Sequence, residues 1–463
     1  MHSPKRKHLT PTDLAGLTVA IVGTGREGVS VARMLSAQGN VTLTAIIDAE
    51  GGPGEAWDSE FGQTIPVHVF DGDSDVLDGV DVAVMSPGIA PHRPLFQVLA
   101  RSETIMTSGT DLFMAVYGDR MVGITGSKGK STTSALTAHI IDAHGVDVSW
   151  GGNVGIPLWD IRPADIIVAE LSSYQCSSLT SSPRVAVVTS LFEEHLDWHG
   201  SAEQYFSDKL NLLAHTPQSV IVGGQSQILT QQVELLYSGL PRTTIGQGST
   251  WSVAEVDGAW HITRNGDAVV ACRDLPLLGH HNWWNVAIAL EAASTVTNID
   301  NTIAINALKS FRPLPHRLEP VDDPSGVLFI NDSLATNPSA AAVALGSLRD
   351  RRVIVLLGGA DRGVDRTPLR QELVAHPPAV IIGLPASGEE LLRDIEQWCV
   401  EAGVTPPECV LVAGMDDALR EARKRATPGD VVLMSPGAPS FGQYRDYEHR
   451  AEHFKQAIAD TRS

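Results

Sequence analysis

Short apolar runs, each closed by a glycine-containing turn and followed by a longer stretch with helical spacing, recur from one end of the chain to the other. LTVAIVGTG leads into REGVSVARMLSAQG, and MVGITGSKGK leads into STTSALTAHIIDAHG, whose Gly145 sits where a helix C-cap is expected. A third series begins at RVIVLLGGADRG and continues through AVIIGLPASGEELLRDIEQW, CVLVAGMDDALREARKR and DVVLMSPGAPS. This βα alternation predicts an α/β protein with three separate parallel-sheet units. Breaks are expected near Thr107 to Asp111, where SGTD precedes a new helix, and near Phe311 to Pro315, where two prolines interrupt the pattern. The stretch from about Ser219 to Leu277, β-rich and punctuated by Gly and Thr, reads as a small side sheet. There is no internal repeat and no low-complexity segment.

The 463 residues are enough for about two to four domains, each with its own core. A net charge of −20 repels a phosphate backbone and argues against nucleic acid as a partner. No apolar run approaches the about 18 to 20 residues of a membrane span, and the basic start MHSPKRKHLTPTDL leads into no signal-like apolar region. Cys176, Cys272, Cys399 and Cys409 lack CxxC spacing, so neither a disulfide framework nor a structural zinc site is indicated. The expectation is a reduced, cytoplasmic protein without membrane insertion; oligomeric state is not legible.

The strongest chemical signal lies in Gly123-Ile-Thr-Gly-Ser-Lys-Gly-Lys-Ser-Thr132, where an apolar strand enters a Gly/Ser/Lys loop that opens a helix. Backbone N–H groups from Gly126, Ser127, Lys128 and Gly129 can cradle a triphosphate, Lys130 can reach its terminal phosphates, and Ser131 or Thr132 can face Mg²⁺. The strict GxxxxGK[ST] pattern fails at Ile124, which stands in place of its first glycine. Nearer the start, Gly23-x-Gly25-x-x-Gly28 follows a strand and Asp48 ends the next one, which suits a dinucleotide or a UDP-type diphosphate. An NAD-dependent oxidoreductase would leave the second phosphate loop without work. Glu170 ends the buried strand DIIVAE, where a Mg²⁺-holding acid belongs. In VAVVTSLFEEHLDWHGS a strand leads to His195, Asp197 and His199, and Lys209 follows on a helix; by itself Lys209 reads as a solvated side chain.

Together these pieces resemble the Mur ligases, and within them the MurD group that adds glutamate to UDP-N-acetylmuramoyl-L-alanine. The resemblance runs in order through SPGI, TGSKGKST, GGNVGIP, ELSSYQ, HLDWHGS, GHHNWWN, LPHR, NDSLATN and SPGAPSF. It implies a Rossmann-like sugar-nucleotide domain over 1–108, a central ATPase domain over 109–312 and a Rossmann-like amino-acid domain over 313–463. It also implies ATP on Lys130, Ser131 and Thr132, with Asn282, Asn285, Arg317 and Asp332 around its base, ribose or phosphates. Two Mg²⁺ ions are implied, with Ser131, Glu170, His195 and a carbamylated Lys209 as ligands. The diphosphate is expected near Gly25, Arg26 and Glu27, Asp48 toward the uridine, with Ser86 and Asn153 completing that site. Trp283 and Trp284 read as helix packing. Because more than a hundred residues precede the phosphate loop, the chain fits a folylpolyglutamate synthetase poorly. A catalytically dead homologue would lose Lys130, Glu170, His195 or Lys209, all of which are present.

The expected amino-acid pocket departs from the common pattern. Leu334 replaces the lysine usual in NDS-K-x-TN, Arg362 stands where another glutamate-binding lysine is usual, and Phe441 replaces a leucine after Ser440. Thr336 and Tyr447 complete the expected amino-acid site. GREG, HLDWHGS and the DKL around Lys209 look more like a variant that adds L-glutamate, whose product a separate epimerase inverts, than like the common D-glutamate enzyme. A diaminopimelate- or lysine-adding ligase is the more distant alternative.

Overall fold

Residues along the first strand, β1 (Thr18–Val22), face two ways: Val19 and Ile21 enter one apolar cluster, Ala20 and Val22 another. A strand buried on both faces cannot alternate polar with apolar, which is why these runs are continuous. β1 belongs to a parallel sheet with β2 (Thr42–Asp48), β3 (Val67–Phe70), β4 (Val82–Met85) and β5 (Ile105–Ser108), in the order β3-β2-β1-β4-β5. The computed structural model describes residues 5–48, 52–360 and 363–462.

A second parallel sheet holds β6 (Met121–Thr125), β7 (Val148–Gly152), β8 (Ile166–Glu170), β9 (Val185–Val188), β10 (Ser219–Val222) and β11 (Thr243–Thr244), in the order β11-β10-β9-β6-β8-β7. β12 (Trp251–Val256), β13 (Ala259–Arg264) and β14 (Asp267–Ala271) form a separate antiparallel sheet. The side sheet is therefore shorter than the sequence pattern predicts. Ser219–Val222 is a two-faced strand of the main sheet, and Leu229 and Val233, four residues apart, fix the helix Gln227–Tyr237 through their burial.

The fourth sheet holds β15 (Glu319–Val321), β16 (Leu328–Asn331), β17 (Val353–Leu357), β18 (Val380–Gly383), β19 (Glu408–Leu411) and β20 (Val431–Met434) in the order β15-β16-β20-β17-β18-β19. All its pairings are parallel except β15 with β16. Val353, Val355 and Leu357 pack into one cluster, Ile354 and Leu356 into the other. Each such fully buried aliphatic side chain stabilises the fold by about 1.5 to 3 kcal/mol.

The chain divides into two compact units, residues 1–274 with 284–310, and residues 275–283 with 311–463. The first three sheets lie in the first unit, the fourth in the second. Within the first unit the leading two sheets are tied together through Trp159 Nε1, which donates to Gly109 O at 2.8 Å, and Arg33, which bridges Glu60 and Asp160 at 2.6 and 2.5 Å. Helix Gly109–Tyr117 follows the first sheet directly, and helix Asn301–Ser310 ends where the second unit resumes.

Candidate active site

In the second sheet the chain order reverses between β6 and β9, and the phosphate loop leaves β6 at this switch point. Gly126 has φ 148°, and a Cβ there would meet Thr189 Oγ1 at 2.0 Å; Gly129 has φ 87°, and its Cβ would meet Asn285 Oδ1 at 2.5 Å. Only glycine allows both the left-handed backbone and the approach of these two side chains. Ser127 Oγ is held by Tyr205 Oη at 2.7 Å and donates to Phe192 O, while Thr189 Oγ1 donates to Lys128 O at 2.6 Å. Lys128 pairs with Glu194 at 2.5 Å. The helix Lys130–Ala143 begins at once, with Ser131 and Thr132 buried in its first turn and no side-chain cap at Gly129. Its N-terminal N–H groups therefore remain directed at the loop.

Lys130 Nζ folds back to donate to Gly126 O at 2.8 Å and Ser127 O at 3.1 Å, and Lys209 Nζ, 2 % exposed, donates to the same Gly126 O at 3.0 Å. Burial, with the nearby Lys130 cation adding to it, lowers the Lys209 pKa to about 7. This favours the neutral amine, the form that attacks carbon dioxide. Glu170 ends β8 with 1 % exposure; one carboxylate oxygen accepts from Asn153 Nδ2 at 3.0 Å, and the other, Oε2, is buried without a hydrogen-bond partner among the described residues. His195 sits at φ 55°, a strained left-handed turn that caps the short helix Leu196–His199. Desolvation, against the pull of Glu194, lowers its pKa and favours the neutral imidazole that ligates metals. The fields of Lys209 and Lys130 both reach His195, and that of Glu170 reaches Lys209.

The N-terminal sheet reverses between β1 and β4, and there Ser86 Oγ donates to Gly23 O at 2.9 Å. Gly25 caps the helix Arg26–Gln38 without a side-chain bond, leaving that helix N-terminus able to receive a diphosphate. Arg26 is exposed, Asp48 ends β2 as expected, and Glu27 accepts from Gln175 Nε2 at 2.8 Å. Burial raises the Glu27 pKa to about 7, so this acid can stand near phosphates partly neutral. A cleft lined by Ser86, Ser108, Gln175 and Trp198 lies between the first two sheets.

In the second unit, Asp332 is buried with both oxygens engaged, Oδ1 by Leu318 N at 3.1 Å and Oδ2 by Ser435 Oγ at 2.7 Å. Burial raises its pKa to about 6, against the opposing pull of these bonds and Arg317. Arg317 is exposed, and Asn282 Nδ2 donates to Leu278 O at 2.6 Å. Asn285, by contrast, lies against the phosphate loop of the first unit. Thr336 lines one hollow at the carboxyl edge of the fourth sheet, with Ser387 and Arg366. Ser440 and Phe441 line a neighbouring one with Tyr444 and Arg450. Tyr447 begins the helix Tyr447–Asp460 and packs edge-on against His316, with ring centroids 5.8 Å apart. The expectation for Arg362 falls outside the described residues.

Three family models match the chain in succession: a MurD-like Mur ligase N-terminal domain over residues 17–108, a Mur ligase middle domain over 124–293, and a Mur ligase glutamate ligase domain over 316–437. A UDP-N-acetylmuramoyl-L-alanine–L-glutamate ligase from Salinispora tropica is 42% identical over 97% of this chain and 99% of its own length. The enzyme of the same name from Xanthomonas oryzae pv. oryzae is 33% identical over 95% of each chain. The chain belongs to the Mur ligase family. Its fold agrees with the solved Mur ligases, as in the MurC ligase of Thermotoga maritima, with a TM-score of 0.59 at 16% identity over 96% of this chain and 99% of that one.

Placed in the Mur ligase frame, several side chains to which the sequence assigns no role become functional candidates. Gln175, 1 % exposed, joins two sheets: its Oε1 accepts from Ser172 N at 2.9 Å in a capping box while its amide reaches Glu27. His199 links Asp208 Oδ2 at 2.7 Å to Ser173 Oγ at 3.0 Å, so the helix bearing Lys209 is tied to the turn after Glu170. Arg450, 2 % exposed, binds Ser333 Oγ, Ser333 O and Ala438 O. Burial lowers its pKa to about 10. The capping-box spacing of Ser172 and Gln175 is visible in sequence; the partners of His199 and Arg450 are not, since they come from other elements.

Proposed function

We propose that this chain adds L-glutamate to UDP-N-acetylmuramoyl-L-alanine, through an acyl phosphate made with ATP, and that its product is inverted by a separate epimerase. The coarser activity is that of its family and close relatives: it is an ATP-dependent amide ligase of peptidoglycan precursor synthesis that joins glutamate to this sugar nucleotide. The observation that carries the L-enantiomer is near full-length similarity, at up to 42% identity, to enzymes whose names specify L-glutamate. Loss of the usual lysine at Leu334 agrees with it.

A carboxylate is a poor electrophile, so the L-alanyl carboxylate oxygen attacks the γ-phosphorus of ATP and ADP leaves. Lys130 and the N–H groups of the Gly126–Thr132 loop hold the phosphates in line. The glutamate amine then attacks the acyl carbon, phosphate departs, and the amine proton passes to solvent or a nearby base. The orphaned Glu170 Oε2, the neutral His195 imidazole and the Lys209 amine fit a hard divalent cation once Lys209 has taken up carbon dioxide and lost a proton to become an anionic carbamate. Glu170, His195, carbamylated Lys209 and Ser131 would hold two Mg²⁺ ions, which when bound offset the charge spread over the transferring phosphoryl group. In this reading the domains are 1–108, 109–312 and 313–463, and the enzyme works in the cytoplasm; among the described residues no helix is long and apolar enough to cross a membrane.

The test is phosphate release with UDP-N-acetylmuramoyl-L-alanine, ATP and each glutamate enantiomer, followed by chiral analysis of the product. Release driven by L-glutamate is expected. A clear preference for D-glutamate would overturn the stereochemical reading, and no release with either would overturn the ligase reading.

A further inference from the structure

Lys5 and Arg6, in the basic segment ahead of β1, are held by strand pairing. Met106 N donates to Lys5 O at 2.9 Å, and Arg6 bridges Met106 in parallel, so this segment pairs along β5, the edge of the first sheet. Lys5 also pairs with Glu103. This pairing carries Arg6 to the cleft between the first and second sheets, where its guanidinium donates to Ser177 O at 2.7 Å, just past the end of helix Ser173–Cys176. A guanidinium has five N–H donors in a fork matched to oxyanions, and among the described residues this carbonyl is its one hydrogen-bond partner.

Arg6 is also the only charged side chain among the described residues that line that cleft. Two other lining residues hold buried polar atoms without a hydrogen-bond partner among the described residues, Thr107 Oγ1 and Trp198 Nε1. A ligand oxygen that reached these atoms would supply the hydrogen bond that the described residues do not. The same cleft includes Ser86, at the switch point of the first sheet, where ligands of this architecture bind. In a chain of net charge −20, an anion entering here meets a favourable field only through a local cation.

We propose that Arg6, delivered by the N-terminal segment, binds an anionic oxygen of the sugar nucleotide, and that the Trp198 indole and Thr107 hydroxyl complete its subsite. The proposal rests on the ligase reading for the identity of the substrate, and adds to it a specificity residue from outside the three matched domains, which begin at residue 17. Arg6 is a binding residue, so its loss acts on the sugar nucleotide and leaves ATP and glutamate alone.

The experiment is steady-state kinetics and calorimetric binding on the full chain and its Arg6→Gln and Arg6→Lys variants. Arg6→Gln is expected to raise the sugar-nucleotide KM at least tenfold, with the KM values of ATP and glutamate and the melting temperature unchanged. Arg6→Lys, which keeps the charge but not the fork, should restore part of the loss. Binding of UDP alone separates the two anionic sources. A loss equal to that of the full substrate assigns the diphosphate, and unchanged UDP binding assigns the carboxylate end. Unchanged affinity for both ligands in folded Arg6→Gln would overturn the proposal, as would a fall in kcat with no change in the sugar-nucleotide KM. A wild-type protein that binds UDP-N-acetylmuramoyl-L-alanine but releases no phosphate would instead overturn the ligase reading and leave the subsite standing.

Discussion

At the phosphate loop two lysine amines converge on one backbone carbonyl, Gly126 O, and a buried carboxylate oxygen of Glu170 stands without a partner. At the rim of the fourth sheet the buried cation is Arg450, and it is engaged by Ser333 and Ala438. The first region leaves polar groups unsatisfied for ligands to complete; the second uses its deepest cation to hold its own loops. A site of the first kind tolerates little change, because glycine contacts and two crowded amines fix the backbone. On the proposed function, a rim of the second kind can change its acceptor through a few side chains such as Leu334, Thr336 and Phe441 while Arg450 keeps the loops in place.

The largest effect expected from breaking this contrast is at Lys209. Lys209→Ala should lower turnover by about 100- to 1000-fold, as does removal of a preorganised charge elsewhere. Added short carboxylates should restore part of it, and Lys209→Arg should not be rescued. Turnover near wild type in Lys209→Ala would return this lysine to the role of a packing residue.

An intermediate effect is expected on the other side of the comparison. Leu334→Lys should raise kcat/KM for D-glutamate relative to L-glutamate by about tenfold, equivalent to about 1.4 kcal/mol, with the KM of ATP unchanged. An unchanged ratio would place stereochemical choice elsewhere on the rim.

The smallest effect concerns Glu27, whose pKa rises from 4.5 to about 7 because folding desolvates it. The folded state favours the protonated acid, so wild type loses stability as pH rises from about 4.5 through 7. Glu27→Gln keeps an acceptor for the Gln175 amide but has no charge to bury. Its melting temperature should match wild type near pH 4.5 and exceed it by about 2 °C at pH 8. Equal melting curves at both pH values would show that Glu27 is solvated in the folded chain.

Much of this was legible in the chain itself. Continuous apolar runs followed by amphipathic stretches specify parallel sheets covered on both faces, and Gly126, Gly129 and Lys130 announce a phosphate loop because local backbone geometry demands those residue types. Lys209 is the opposite case. Its neighbours DKL carry no local signature, and only the approach of a helix from eighty residues downstream buries its amine beside Lys130. The side sheet is shorter than its texture predicts for a related reason: strand texture in Ser219–Val222 does not say which sheet the strand joins.

Local sequence thus determined the elements, their order and the phosphate-binding turns, since these depend on periodicity and on φ values set within a few residues. Tertiary structure alone decided the lowered Lys209 pKa, the orphaned Glu170 oxygen, the internal engagement of Arg450 and the arrival of Arg6 in the cleft. Each of these is a matter of desolvation or of a partner brought from a distant segment, and neither burial nor long-range partnership is written in the residues on either side.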